Sequence, residues 1–80
     1  MRAEEIQAKI IAGLPDCEAI VQDPAQDETH FEAVVTSSAF EGLSRVAQHQ
    51  LVYGTLGSLM DVEIHALALR TYTLEQWKQR

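Results

Sequence analysis

Cysteine is nearly absent from this sequence, which contains only Cys17 among its 80 residues. One thiol cannot form an internal disulfide, and it cannot supply the four thiolates of a structural metal site. If the protein handles a metal cluster, a partner must therefore provide most of the ligands.

Basic residues are scarce as well. Six lysines and arginines stand against twelve aspartates and glutamates, which gives a formal net charge of −6 at pH 7. Nonspecific binding to a phosphate backbone depends on lysine and arginine side chains that release counterions. The composition therefore favours a protein partner over DNA, although it leaves room for a local basic patch.

Long hydrophobic runs are also missing. No segment approaches the ~18 consecutive apolar residues of a membrane span, and the charged residues 1–5 lack the apolar centre of a signal peptide. We therefore expect a cytoplasmic protein without a membrane segment. Its length predicts one domain over residues 1–80 with one modest core, because so short a chain buries only about 60% of the surface that its unfolded form exposes.

Helical periodicity and capping residues predict four helical segments. Ile6 and Ile10 share one face of a first helix, and Ser44 is a good N-cap for the longest one. A capping box that starts at Ser38 predicts about one turn, which Gly42 closes. The predicted segments are residues 3–13, 38–41, 45 to about 60, and a last helix that Thr73 caps, with Trp77 facing inward.

Three segments rich in β-favouring residues predict strands at residues 18–22, 30–36 and 64–71. The first two can pair through a polar loop, whereas the third must return by a helical crossover, which favours a parallel neighbour. In the second strand Phe31, Ala33 and Val35 alternate with polar residues that include Thr36. The resulting order is αββααβα, an α+β fold.

Four short blocks, with a fifth upstream, resemble the BolA family of small stress-response and iron–sulfur-trafficking proteins. The blocks are Thr-His-Phe-Glu at residues 29–32, Phe-Glu-Gly-Leu-Ser at 40–44, Gln-His-Gln-Leu-Val-Tyr at 48–53, Ile-His-Ala-Leu-Ala-Leu at 64–69 and Thr-Tyr-Thr-Leu-Glu-Gln-Trp at 71–77. The resemblance implies a three-stranded mixed sheet with helices packed on one face, the arrangement of class II KH domains. The predicted element order agrees with it.

The resemblance also implies a metal site. His65 lies in the block whose histidine serves the family as a ligand of a 2Fe–2S cluster, which is shared with a monothiol glutaredoxin and its bound glutathione. A second family ligand comes from the loop between the first two strands. Residues 23–29 contain neither histidine nor cysteine, so His30 is the nearest candidate and Cys17, expected to be a small core residue, is a poorer one.

Each histidine also has a purely structural interpretation. His65 and His30 can be residues at a strand start without a role. His49 lies in the middle of the apolar face predicted for the long helix, where we expect a buried, neutral imidazole with one or two internal hydrogen bonds. The side chains assigned to that face are Val46, Val52, Tyr53, Leu56, Leu59 and Met60.

Two features bear on nucleic acid. The sequence Gly-Thr-Leu-Gly at residues 54–57 matches the G-x-x-G loop of KH domains, but it falls within the predicted helix and contains no basic residue. A basic patch near the C-terminal end is the second feature. It can be a DNA-binding surface, or its residues can simply be solvated charges. Its candidate residues are Arg45, Arg70, Lys78 and Arg80.

Three functional hypotheses follow. The first is an adaptor that pairs with a monothiol glutaredoxin around a shared 2Fe–2S cluster, with no cofactor in the isolated chain, which is a monomer or weak homodimer. The second is a stress-responsive transcriptional regulator that binds DNA through the KH-like surface. The third is an interaction domain without a cofactor. Serines and carboxylates lack the spacing of a catalytic set, so we do not expect an enzyme.

Overall fold

The computed structural model describes residues 2–28, 30–57, 59 and 66–79. Two helices, three strands, one 3₁₀ turn and a short last helix follow the predicted order, which is confirmed. They are α1 (Ala3–Gly13), β1 (Glu18–Gln22), β2 (His30–Thr36), the 3₁₀ turn (Ser38–Phe40), α2 (Arg45–Leu56), β3 (Ala66–Tyr72) and α3 (Leu74–Gln79). None of the described helices is long and apolar enough to cross a membrane.

The strands form one mixed sheet in the order β1-β2-β3. β1 and β2 are antiparallel, and β2 and β3 are parallel, as the crossover between them predicts. Cα partners in the register include Ile20 with Val34, Val34 with Arg70, and His30 with Ala66. The parallel pairing places the first residues of β2 and β3 at the same end of the sheet.

The core lies between one face of the sheet and helices α1 and α2. Side chains in the core are Ile6, Ile10, Ala19, Val21, Phe31, Ala33, Val35, Phe40, Val52 and Leu56. The predicted inward alternation of β2 is therefore confirmed for Phe31, Ala33 and Val35. Thr36 was expected to face solvent but is buried. It lines a small cavity on the opposite face together with Trp77 of α3, whose ring also contacts Tyr72.

Capping explains where the helical segments begin and end. Ser44 accepts a hydrogen bond from the Ala47 amide at 3.2 Å and caps α2, as predicted. The predicted cap of the 3₁₀ turn was wrong by one residue, because the hydroxyl that accepts from the Ala39 amide belongs to Ser37. Thr73 caps α3 in a reciprocal pair of hydrogen bonds with Gln76, which confirms the predicted box.

Helix α2 is shorter than predicted. It ends at Leu56 because Gly57 adopts a left-handed φ of 56° and donates its N–H to the Tyr53 carbonyl. Gly54 lies within the helix, so the G-x-x-G sequence is not an open loop. The predicted continuation to Met60 reaches beyond the described residues.

The buried face of α2 also differs from the predicted one. Val46 is 67% exposed and Tyr53 is 37% exposed, while Gln48, Val52 and Leu56 form the buried stripe at four-residue spacing. Gln48 occupies a core position because all of its polar atoms are used. Its Nε2 donates to the Phe40 and Leu43 carbonyls at 3.1 and 3.0 Å, and its Oε1 accepts from Thr71. This side chain joins the 3₁₀ turn, α2 and β3.

Candidate functional site

The candidate metal site lies at the end of the sheet where β2 and β3 begin. His30 is the first residue of β2, and its side chain is 55% exposed. Because side chains alternate along a strand, His30 shares a face with Glu32 and Val34, opposite the buried Phe31. The imidazole therefore lies on the face of the sheet that α1 and α2 do not cover.

Asp27 orients the His30 ring. One Asp27 carboxylate oxygen accepts from the His30 backbone N–H at 3.1 Å, and the other lies 2.9 Å from the His30 Nδ1. A carboxylate at Nδ1 favours the tautomer with the proton on that nitrogen, which leaves the lone pair on Nε2. Metal-binding histidines commonly use this carboxylate–imidazole arrangement. The chemistry of the pair therefore suits a metal ligand.

His65, the other predicted ligand, lies outside the described residues. In the sequence it directly precedes Ala66, and Ala66 is the register partner of His30. Across the described ranges, no group of three or more histidine, cysteine, aspartate or glutamate side chains is arranged to hold a metal ion.

Cys17 lies just before β1 and is partly buried against the core, in agreement with the structural interpretation. Burial raises the pKa of its thiol, and the negative charge of Glu18 raises it further. A raised thiol pKa reduces the thiolate fraction at neutral pH, and the thiolate is the form that binds metals. The structure therefore gives Cys17 poor properties for a ligand.

His49 was expected to be buried with one or two internal hydrogen bonds, and this expectation was wrong. The ring lies at the margin of the buried stripe of α2 and is half-buried, in an edge-on contact with Tyr53 at a centroid distance of 6.4 Å. Its Nε2 is inaccessible to solvent and has no hydrogen-bond partner within the described part of the chain. The buried stripe of α2 contains Gln48, so the neighbouring His49 lies at the edge of the stripe.

The structure brings together two of the four predicted basic residues. Arg45 and Arg70 line one cavity of ≈ 270 Å³ with His49, between the start of α2 and the end of β3. Its other lining residues in the described part of the chain are Leu69, Thr71 and Tyr72, none of which is a carboxylate. Lys78 lies on α3 and does not line this cavity, and Arg80 lies outside the described residues.

Sequence reasoning missed the roles of Asp27 and Gln48. Asp27 could have been recognised, because an aspartate three residues before a strand often accepts hydrogen bonds from nearby backbone amides. Gln48 carries no comparable signal. Its burial depends on two carbonyls and a hydroxyl that only the tertiary fold brings within reach.

Known proteins resemble this chain in sequence and in fold. A family model described as BolA-like protein matches residues 16–76. The DNA-binding transcriptional regulator BolA of Vibrio cholerae is 46% identical over 56 residues, which cover 70% of this chain and 53% of that protein. The chain spans about half the length of the first curated relatives that it matches.

Solved structures extend the similarity to nearly the whole chain. A BolA protein homologue from Coxiella burnetii has a TM-score of 0.84 at 39% identity, covering 98% of this chain and 97% of that one. The BolA domain of SufE1 from Arabidopsis thaliana has a TM-score of 0.80 at 32% identity, covering 92% and 93% of the two chains.

Proposed function

Because this chain belongs to the BolA-like protein family, we propose that it is an adaptor that shares a 2Fe–2S cluster with a monothiol glutaredoxin. The glutaredoxin would provide a cysteine and bound glutathione, and this chain would provide His65 and His30. The observation that carries the proposal is the position of His30, a carboxylate-oriented imidazole opposite Ala66 at the start of β3.

The register places the start of β3 beside His30. Neighbouring strands lie about 4.8 Å apart, and consecutive Cα atoms are about 3.8 Å apart. Since His30 pairs with Ala66 and His65 is the preceding residue, we expect both imidazoles at the same end of the sheet.

Neutral imidazole ligands suit a cluster that is passed on or sensed. A thiolate adds a negative charge to the iron that it binds, whereas an imidazole adds none, and histidine ligation raises the reduction potential as in Rieske centres. A cluster with thiolate donors on one protein and imidazole donors on the other would be asymmetric. Such asymmetry favours transfer over permanent storage.

Anaerobic co-purification tests this function. The chain expressed together with a monothiol glutaredoxin should elute as a coloured heterodimer with iron and acid-labile sulfide. His30→Ala should change its visible circular dichroism spectrum, because one imidazole ligand is lost. Glu41→Ala, at an exposed residue between the 3₁₀ turn and α2, is the control and should keep the spectrum. A glutaredoxin that elutes separately in every preparation would rule the adaptor out.

A second candidate function is DNA binding, and the cavity with Arg45 and Arg70 favours it. Relatives are named DNA-binding transcriptional regulators, and these two arginines provide a local cationic site on a chain of net charge −6. Two phosphate contacts would make the affinity fall with salt at a logarithmic slope of about −2.

Charge reversal tests the DNA-binding candidate. Arg45→Glu and Arg70→Glu should each weaken binding to a short duplex severalfold at low salt and flatten the salt dependence, as measured by fluorescence anisotropy. Lys9→Glu on α1 changes the net charge equally and is the control, because Lys9 lies outside the cavity. Equal losses of affinity in all three variants would show that only the overall charge matters. If the unmodified chain does not bind the duplex at low salt, DNA binding is rejected as a function.

A further inference from the structure

The sheet face opposite α1 and α2 carries a groove of ≈ 480 Å³. Apolar side chains from all three strands contribute to its floor, namely Ile20, Val34 and Ala68. Ile20, the middle residue of the edge strand β1, is 53% exposed. Tyr72 and Trp77 form an aromatic wall, with a ring-centroid distance of 5.6 Å. Concave apolar surfaces with a few polar groups are typical of binding sites.

Two charged residues among the described lining of the groove, Glu32 and Arg70, lie at different distances from the candidate metal site. Glu32 on β2 pairs with Ala68 and is two residues from His30. Arg70 on β3 pairs with Val34, two residues further along the sheet. A complementary partner surface would carry an apolar side chain flanked by a basic group toward His30 and an acidic group toward Arg70. This charge pattern defines one orientation of the partner.

The groove and His30 lie on the same face of the sheet, close enough for one protein–protein interface of ordinary size to include both. Strand residues rise about 3.3 Å each, which places Val34 about 13 Å from His30 along β2. An interface of ordinary size covers about 800 Å² per protein, equivalent to a disc with a radius of about 16 Å. A protein whose interface is centred on His30 across this face therefore also covers Val34 in the groove.

We propose that the partner that shares the cluster docks on this open sheet face and inserts an apolar side chain over Ile20, Val34 and Ala68. The inference rests on the proposed function, because His30 is the point that links the groove to the cluster. The groove contributes affinity and orientation, while the histidines contribute ligands. Changes in the two places should therefore have separable effects.

Ile20→Glu tests the docking surface. A carboxylate at this position would be desolvated beneath the partner, so the dissociation constant of the glutaredoxin heterodimer should rise about tenfold or more. The measurement is an anaerobic titration of this chain with monothiol glutaredoxin, with and without reconstituted cluster. Val46→Glu adds the same charge at a residue that is 67% exposed on α2, and it should change affinity less than twofold.

Spectroscopy separates the surface from the ligand set. Heterodimer formed by Ile20→Glu at high concentration should keep the visible circular dichroism of the unmodified complex, whereas His30→Ala should change it. Ala68→Lys is a second groove variant that places a positive charge opposite Glu32, an arrangement that suits the folded sheet. It should also weaken association about tenfold.

Each outcome has a definite meaning. Unchanged association of both folded groove variants would overturn the docking surface and leave the proposed function intact. Failure of the unmodified chain to associate with glutaredoxin would reject the proposed function, and the docking inference with it. If Ile20→Glu instead abolishes self-association in analytical ultracentrifugation and leaves glutaredoxin binding unchanged, the groove is occupied by a second copy, which also overturns the inference.

Discussion

Heterodimer purified with His65→Ala should lose its cluster or show a changed visible circular dichroism spectrum. The physical reason is the replacement of a neutral imidazole by a different donor, which alters the charge and the electronic asymmetry of the cluster environment. Absorption and circular dichroism of the anaerobic complex measure the change, and iron analysis separates loss of cluster from altered ligation. Among the predictions for the site, we expect this one to have the largest effect.

The control for His65→Ala is His49→Gln. His49 is half-buried beside Tyr53 on α2 and lines the cavity near the end of β3, away from the starts of β2 and β3, so its replacement should leave the spectrum unchanged. An unchanged spectrum in His65→Ala would remove His65 from the ligand set. A change in both variants would indicate that the spectrum reports a general disturbance of the heterodimer.

Phe40→Ala should reduce the free energy of unfolding by about 3–5 kcal/mol, the usual cost of removing a buried phenylalanine ring. Phe40 is 0% exposed and is among the largest fully buried side chains of the core. Domains are stable by only about 5–15 kcal/mol, so the variant should lose a large fraction of its stability. Urea unfolding followed by far-ultraviolet circular dichroism measures the difference.

The design isolates packing from hydrogen bonding. Gln48 donates to the backbone carbonyl of Phe40, a bond that the substitution leaves chemically possible. Val46→Ala is the control, because Val46 is 67% exposed and its truncation should change stability by about 0.5 kcal/mol or less. A loss below about 1.5 kcal/mol in Phe40→Ala would mean that the surrounding core collapses into the space of the ring.

The elements that the sequence predicted best are those whose burial pattern is local. The bounds of β1 and β2 are confirmed, and so is the alternation of Phe31, Ala33 and Val35, because a strand with one face on a core must place every second residue inward. Ser44 and Thr73 were identified as caps because their hydrogen bonds reach only three residues along the chain.

The predictions for α2 failed where local rules have no information about neighbours. Periodicity correctly assigned Val52 and Leu56 to the buried face, but it also assigned Val46 and Tyr53, which are exposed. Gln48 can occupy the buried face because three hydrogen bonds satisfy its side-chain amide, and they involve atoms up to 23 residues away. The end of the helix was misplaced because the left-handed conformation of Gly57 was not anticipated.

The candidate site divides in the same way. Sequence blocks alone indicated the family and made His65 a candidate ligand, whereas His30 was the nearest second candidate because residues 23–29 contain neither histidine nor cysteine. Placement of His65 remains a prediction. Three features became visible only in the structure. They are the contact of Asp27 with the His30 ring, the cavity that Arg45 and Arg70 both line, and the groove on the face of His30.

The amino-acid sequence by itself determined the element order, the inward apolar residues of β2 and the N-caps of α2 and α3, because each follows from interactions within a few residues. Only the tertiary structure decided which polar side chain enters the core and which apolar side chain, Ile20, remains on the open face. Those outcomes depend on contacts between segments distant in the chain, where the energy of a buried group is set by the partners that the whole fold supplies.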